Sequence, residues 1–204
     1  MDSRFIQTSY GRVHAQVTGS GLPVIFIHGR VAPLNSARAW EANVGAVAEA
    51  GFRTVVLELP GFGEAVRPEG EISTESAVDC VLELFERMAM SRAAFVGHHW
   101  GGLVAWRAAL IEPRRIVKLG LVAAEGAEQL SSALAGELSP PTLVLWEKDD
   151  PSVPASHADL FVEAIPLARK HIFMAGREQP ELAHQAPQLL GKEFNDQLIA
   201  FLRE

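Results

Sequence analysis

An α/β fold, with a mostly parallel twisted sheet of about seven to eight strands flanked by helices, is predicted by three features of the sequence. Short, near-continuous apolar runs alternate with longer segments whose apolar residues recur every three or four positions. The runs stop at Gly or Pro, as Ile27 does before His28-Gly29 and Leu59 before Pro60-Gly61. A chain of 204 residues, 48% hydrophobic and 21% charged, suits one globular domain over residues 1–204, which would bury roughly 70% of its unfolded surface.

Each element follows from its local pattern. Arg12 to Val17 reads as an early antiparallel strand, and Pro23-Val24-Ile25-Phe26-Ile27 as a strand buried on both faces of a parallel sheet. A helix from about Ala37 to Ala50, closed by Gly51, precedes the strand Thr54 to Leu59. From Thr74 to Met90, Ala77, Val78, Val81, Leu82, Leu84, Phe85 and Met88 make one apolar stripe, and Ser73 or Thr74 can cap the helix. Strand Ala93–Val96, helix Gly101–Ile111, strand Ile116–Ala123 and strand Thr142–Trp146 follow. The chain closes with a helix near Ser156–Ile165, strand Lys170–Met174 and a helix from about Pro187 to Leu202. Right-handed crossovers turn this alternation into a parallel sheet with helices on both faces.

Composition narrows the partners. Eighteen Lys and Arg against 25 Asp and Glu give a net charge of −7, which repels nucleic acid and anionic membranes and leaves a small-molecule substrate as the expectation. The single cysteine, Cys80, excludes an internal disulfide and sits among apolar helix positions as a buried thiol. The N-terminus carries no basic segment followed by an apolar run, and no stretch approaches the ~18 apolar residues of a membrane span, so a cytoplasmic location is expected.

Ligands of open α/β sheets gather at the carboxyl ends of the strands. Two such ends read His28-Gly29-Arg30 and Gly97-His98-His99-Trp100-Gly101. The second has the form G-x-H-x-G where a nucleophile elbow, a sharp strand-to-helix turn, reads G-x-S-x-G. In this wording the chain resembles the α/β-hydrolase superfamily, and GHHWGGLVAW is closest to the GHDWGG type of epoxide hydrolases and haloalkane dehalogenases and the GHSWGG type of esterases. Glu58-Leu59-Pro60-Gly61-Phe62-Gly63 is similar to the family's D-L-P-G-x-G, and Pro141 to Trp146 to the strand before its catalytic acid. The resemblance covers about residues 10 to 203.

The resemblance implies that Asp150 is that acid, and that the backbone N–H groups of Arg30 and Trp100 are the oxyanion donors. His98 and His28 match positions that are mainly structural in the family and rank as secondary candidates. Two departures stand out. Laid without a gap on Ala168 to Phe173, the pattern around the family's catalytic histidine places Glu178 where that histidine belongs; His184, six residues on, reaches the site only if the loop runs differently. No helical cap fits the seventeen residues from Ala124 to Pro140, so the site is expected to be shallow and open unless a second subunit of a homodimer covers it.

Serine needs a neighbouring base, whereas an imidazole with a pKa near about 6.5 attacks an activated ester directly or takes a proton in place. The expected activity is hydrolysis of a small ester, thioester or related carbonyl compound, with His99 replacing the usual nucleophile and Asp150 and Glu178 as carboxylate partners. Two other classes fit the same residues: a cofactor-independent lyase, isomerase or cyclase using His99 as a proton shuttle, and a catalytically inactive pseudo-hydrolase that binds a ligand. No cofactor is called for, and the spacing of His98, His99, Asp150 and Glu178 matches no metal motif.

Overall fold

The computed structural model describes residues 2–65, 70–130, 138–174 and 184–204. Eight strands form one sheet: β1 (Asp2–Thr8), β2 (Gly11–Gly19), β3 (Pro23–Ile27), β4 (Arg53–Glu58), β5 (Ala93–His98), β6 (Ile116–Val122), β7 (Thr142–Glu147) and β8 (Ala168–Phe173). Their spatial order is β1-β2-β4-β3-β5-β6-β7-β8. β2 pairs antiparallel with β1 and β4, and every pair from β4 to β8 is parallel.

Helices cover both faces, as the crossover rule requires. α1 (Val44–Glu49) and α6 (Gly191–Arg203) bury Val44, Val47, Phe194, Leu198 and Phe201 against one side of the sheet. On the other side lie α2 (Thr74–Arg87), α3 (Trp100–Ile111) and α4 (His157–Ala164), which pack Val81, Leu84, Phe85, Val104 and Phe161. A short α5 (Ala186–Leu189) leads into α6. Ser73 caps α2, its hydroxyl accepting the Ser76 N–H at 3.2 Å. Cys80 is buried as expected; burial pushes its thiol up to about 11.

Four expectations shift in detail. β1 adds a strand that its exposed, charged residues conceal; it exists because the hairpin pairs it with β2 from Asp2↔Val17 to Thr8↔Gly11. The helix expected over Ala37–Ala50 divides into a 3-10 turn, Ala37–Trp40, and α1. Asn43, fully buried between them, donates to the Pro187 carbonyl at 2.9 Å and to Asn195 Oδ1 at 2.8 Å, so the break is fixed from across the core. The last helix divides at Leu190–Gly191, and the last strand begins at Ala168 rather than Lys170.

Only residues 123–141 join β6 to β7, an interval too short for a helical cap domain. Among the described residues, no helix is long and apolar enough to cross a membrane.

Two histidines close the strand ends as neutral rings. His28 Nδ1–H donates to the Gly29 carbonyl at 2.6 Å while its Nε2 accepts the Leu59 N–H at 3.1 Å, which ties the end of β3 to the end of β4. Burial lowers the ring to about 4, because the charged form would lose both solvent and the Leu59 donor. His98 Nε2–H donates to the His184 carbonyl at 2.8 Å, and burial lowers this ring to about 3. An unfolded histidine titrates near about 6.5. Between that value and the folded ones the unfolded chain binds more protons, so stability rises with pH. Acidification from pH 6.5 towards 4 is therefore expected to lower the unfolding free energy, by on the order of 3 kcal/mol from His28 alone. Urea titrations across that range check this, and a flat profile above pH 5 would contradict it. A second expectation concerns Gly101. A Cβ there would meet the backbone oxygens of Ile27 at 2.3 Å and His28 at 2.4 Å. Gly101→Ala should cost at least about 1–3 kcal/mol in the same urea titration.

Candidate functional site

The site is built at the turn from β5 to α3. All six residues of β5 are buried, and the chain reverses direction at His99 with φ 53° and ψ −118°. A side chain rarely accepts that left-handed conformation, which costs about 1–3 kcal/mol unless the surroundings impose it. Here they do. The His99 N–H donates to the Val122 carbonyl at 2.9 Å, and the His99 carbonyl accepts from Gly102, Leu103 and Glu125 at 3.0, 3.3 and 3.2 Å. Gly97 and Gly101 allow the approach: a Cβ on Gly97 would stand 2.1 Å from the Gly101 carbonyl oxygen. The imidazole is thereby presented at the carboxyl edge of the sheet, beside the positive end of α3.

His184 faces it. The two rings are perpendicular, with centroids 4.9 Å apart. His184 Nδ1–H donates to Asp150 Oδ2 at 2.7 Å, and the Asp150 side chain has no solvent exposure. Burial alone would raise that carboxyl. The His184 N–H, with the Val153 and Ser152 backbone N–H groups at 2.9 and 2.8 Å, outweighs burial and holds Asp150 below the usual carboxylate range. An ionised Asp150 fixes the proton on Nδ1, which leaves His184 Nε2 as a free base. A carboxylate–imidazole pair so arranged can act as acid and base, and a second imidazole stands next to it.

A carboxylate absent from the sequence reading completes the cluster. Glu125 Oε1 lies 3.0 Å from His99 Nε2. Glu125 follows β6 by three residues, so the strand-end rule applied to β6 would have found it. Burial raises its carboxyl, helped by Glu128 and opposed by Arg30 and His184. Burial lowers His99 to about 4, and His184 adds to that. The elbow imidazole is uncharged at neutral pH.

The other expected residues fall as follows. The Trp100 N–H opens α3 and has no intrahelical acceptor. The Arg30 backbone follows the His28-Gly29 turn, but its guanidinium is occupied: it stacks 4.2 Å over the Trp100 ring and donates to the Ile72 carbonyl at 2.9 Å. His98 and His28 are buried and hold backbone, as described above. Glu178 lies outside the described residues. The histidine beside Asp150 is His184. A cleft of about 310 Å³ opens on the cluster, lined by His99, Leu103, Glu125, Gln129, Val153 and His157 among others. Among the described residues, no group of three or more His, Cys, Asp or Glu side chains is arranged to hold a metal ion.

Comparison with known proteins bears on the fold. Residues 23–130 match the family model described as the alpha/beta hydrolase fold. Bifunctional epoxide hydrolase 2 of Sus scrofa is 34% identical over 107 residues, 52% of this chain and 19% of that protein. An epoxide hydrolase of Caballeronia sordidicola is 30% identical over 112 residues, 54% of this chain and 33% of its own. The matched stretches thus span a third or less of those relatives' lengths. Among solved structures, the meta-cleavage product hydrolase of Pseudomonas fluorescens IP01 superposes with a TM-score of 0.86 at 19% identity, covering 98% of this chain and 97% of the other. Bromoperoxidase from Bacillus anthracis gives 0.85 at 19% identity over 100% of each chain. With the family model matching more than half of its residues and an eight-stranded sheet in the same architecture, the chain belongs to the alpha/beta hydrolase fold family.

Proposed function

We propose that this protein hydrolyses small activated esters or thioesters, with His99 as nucleophile and the Asp150–His184 pair as the base that activates water. The observation that carries the reading is the placement of a neutral imidazole in the elbow, within ring contact of a second imidazole already oriented by a buried carboxylate.

The chemistry follows from which nitrogen each neighbour favours. Glu125 beside Nε2 favours the proton there, leaving the Nδ1 lone pair free near the main chain. Nδ1 bonds to the carbonyl carbon, the π electrons move to oxygen, and the Trp100 and Arg30 N–H groups stabilise that oxyanion. Its collapse expels the alkoxide or thiolate and leaves an acyl-imidazolium, whose charge faces the Glu125 carboxylate. His184 Nε2 then takes a proton from water as the hydroxide oxygen adds to the acyl carbon. His99 leaves as the neutral ring, and the proton on His184 passes to the departing group or to solvent. The acid–base partner is thus His184, in place of Glu178.

Two expectations test this on short p-nitrophenyl esters and thioesters. His99→Ala should remove the activity in excess of free imidazole, and His184→Gln should lower kcat by about 10²–10⁴ with a smaller effect on acylation. With breakdown slowed in His184→Gln, the acyl-imidazole on His99 should accumulate and show its ultraviolet absorbance on rapid mixing at neutral pH. Turnover with no such species in that variant would favour the proton-shuttle chemistry instead, and equal rates for the parent and His99→Ala would end the proposal. The acylation burst needs His99 uncharged, so it should persist through pH 5 and fall as pH drops through about 4, whereas free imidazole loses activity near about 6.5. A burst that titrates at the solution value would show that the ring is not held neutral by burial.

A further inference from the structure

A second hydrogen-bonded series of side chains lies at the β1 edge of the sheet, apart from the His99 cleft. Ser3 Oγ is 2.8 Å from His14 Nε2, and His14 Nδ1 is 2.8 Å from Glu58 Oε2. Three adjacent strands supply these groups, with Phe5↔His14 and Ser3↔Gln16 in register between β1 and β2, and His14↔Glu58 between β2 and β4. Strand alternation puts Ser3 and Phe5 on the face that carries His14 and Gln16.

The protons on this series are ordered. Glu58 Oε1 accepts the Ala37 N–H at 2.9 Å, and Oε2 accepts the Glu64 N–H at 2.9 Å. Burial raises the carboxyl, but these donors and His14 outweigh it and keep Glu58 ionised. Ionised Glu58 accepts a hydrogen bond from His14 Nδ1–H, so Nε2 carries the lone pair and the Ser3 hydroxyl donates to it. Nucleophile, base and orienting acid are then each within hydrogen-bond reach of the next. His14 is 3% exposed while Ser3 is open to solvent, the disposition of a shielded base behind an accessible nucleophile. A cavity of about 670 Å³ reaches this series at Glu58 and Gln16 and is lined also by Val56, Ser36, Arg38 and Val44. Gln16, directly opposite Ser3, brings an amide donor to within about 5 Å of it at Cβ.

We propose that Ser3, His14 and Glu58 form a second nucleophilic site, which accepts an acyl or phosphonyl group from a small activated ester seated in the adjoining cavity. In the acyl step Ser3 Oγ bonds to the carbonyl carbon, and its proton passes to His14 Nε2. The carbonyl π electrons move to oxygen, facing the Gln16 amide, and return as the leaving group departs with the proton from His14. With a fluorophosphonate the Ser3 O–P bond forms, fluoride leaves, and His14 takes the proton.

Treatment of the intact protein with an alkyl fluorophosphonate, followed by digestion and mass spectrometry, reads the site directly. The Ser3 adduct should form on the order of a hundredfold faster than adducts on the exposed Ser20 and Ser91 of the same sample. It should form at the same rate in His99→Ala, and fall to the rate of Ser20 in His14→Gln and in urea-unfolded protein. A Ser3 rate equal to those of Ser20 and Ser91 overturns the proposal, as does labelling that survives unchanged in folded His14→Gln. If His14→Gln does not fold, the comparison among serines of the native chain and against the unfolded chain decides the question alone.

Discussion

The rest of the site depends on one backbone constraint, the left-handed turn at His99. A residue with φ 53° is tolerable only because β5, β3 and α3 pack closely enough to impose it, and that packing requires glycine at positions 97 and 101. The same turn sets the surroundings. By accepting the Glu125 N–H, the His99 carbonyl draws the segment after β6 against the elbow, and the Glu125 carboxylate then lies 3.0 Å from the His99 ring. The residue at the elbow is therefore presented to substrate whatever its chemistry, and its partners are chosen largely by backbone hydrogen bonds.

Two imidazoles with centroids 4.9 Å apart would repel each other if both were charged, and the surrounding carboxylates divide their roles. Asp150 is buried, held below the usual carboxylate range and aimed at His184 Nδ1, so it orients that ring. Glu125 is half exposed and its carboxyl is raised, so it stabilises charge on His99 less in the resting protein than when an acyl group makes that ring cationic. On the proposed reading, one ring serves as the electron-pair donor and the other as the proton carrier, a division that Ser and His achieve elsewhere with two different functional groups.

Much of this was legible in the sequence, for physical reasons that also explain the gaps. Strands buried on both faces and a helix apolar all round, as in β5 and α3, leave patterns that turns and caps delimit, so the sheet and the elbow could be read directly. Asp150 was implied by the resemblance of Pro141 to Trp146 to the family's strand before its acid, and in the fold it accepts the Ser152 and Val153 N–H groups of the turn that follows. His184 could not be placed, because the segment between β8 and α5 carries no periodic pattern to register it against the strand, and a gapless reading chose Glu178. β1 was invisible because an edge strand with mostly exposed side chains has no apolar alternation; its identity lies in pairing with β2. Glu125 stands at a strand end that the strand-end rule reaches, but its approach to His99 comes from a backbone bond to a residue 26 positions earlier, which local pattern does not encode.

The short β6–β7 connection bears on which nucleophile the site can use. An oxygen ester intermediate is slow to hydrolyse and needs a positioned base to activate its water. An acyl-imidazole is intrinsically labile to water, so an open cleft of about 310 Å³ is suited to its breakdown. The cost falls on the first step, because a neutral imidazole attacks well only where the leaving group is good, and no cap supplies extra binding energy to drive a poorer one. His99 does not need a cap for its desolvation either: burial within the elbow already lowers its ring to about 4. On the proposed reading, the imidazole at the elbow and the short β6–β7 connection are mutually consistent, and both suit small, activated carbonyl substrates rather than large or unactivated ones.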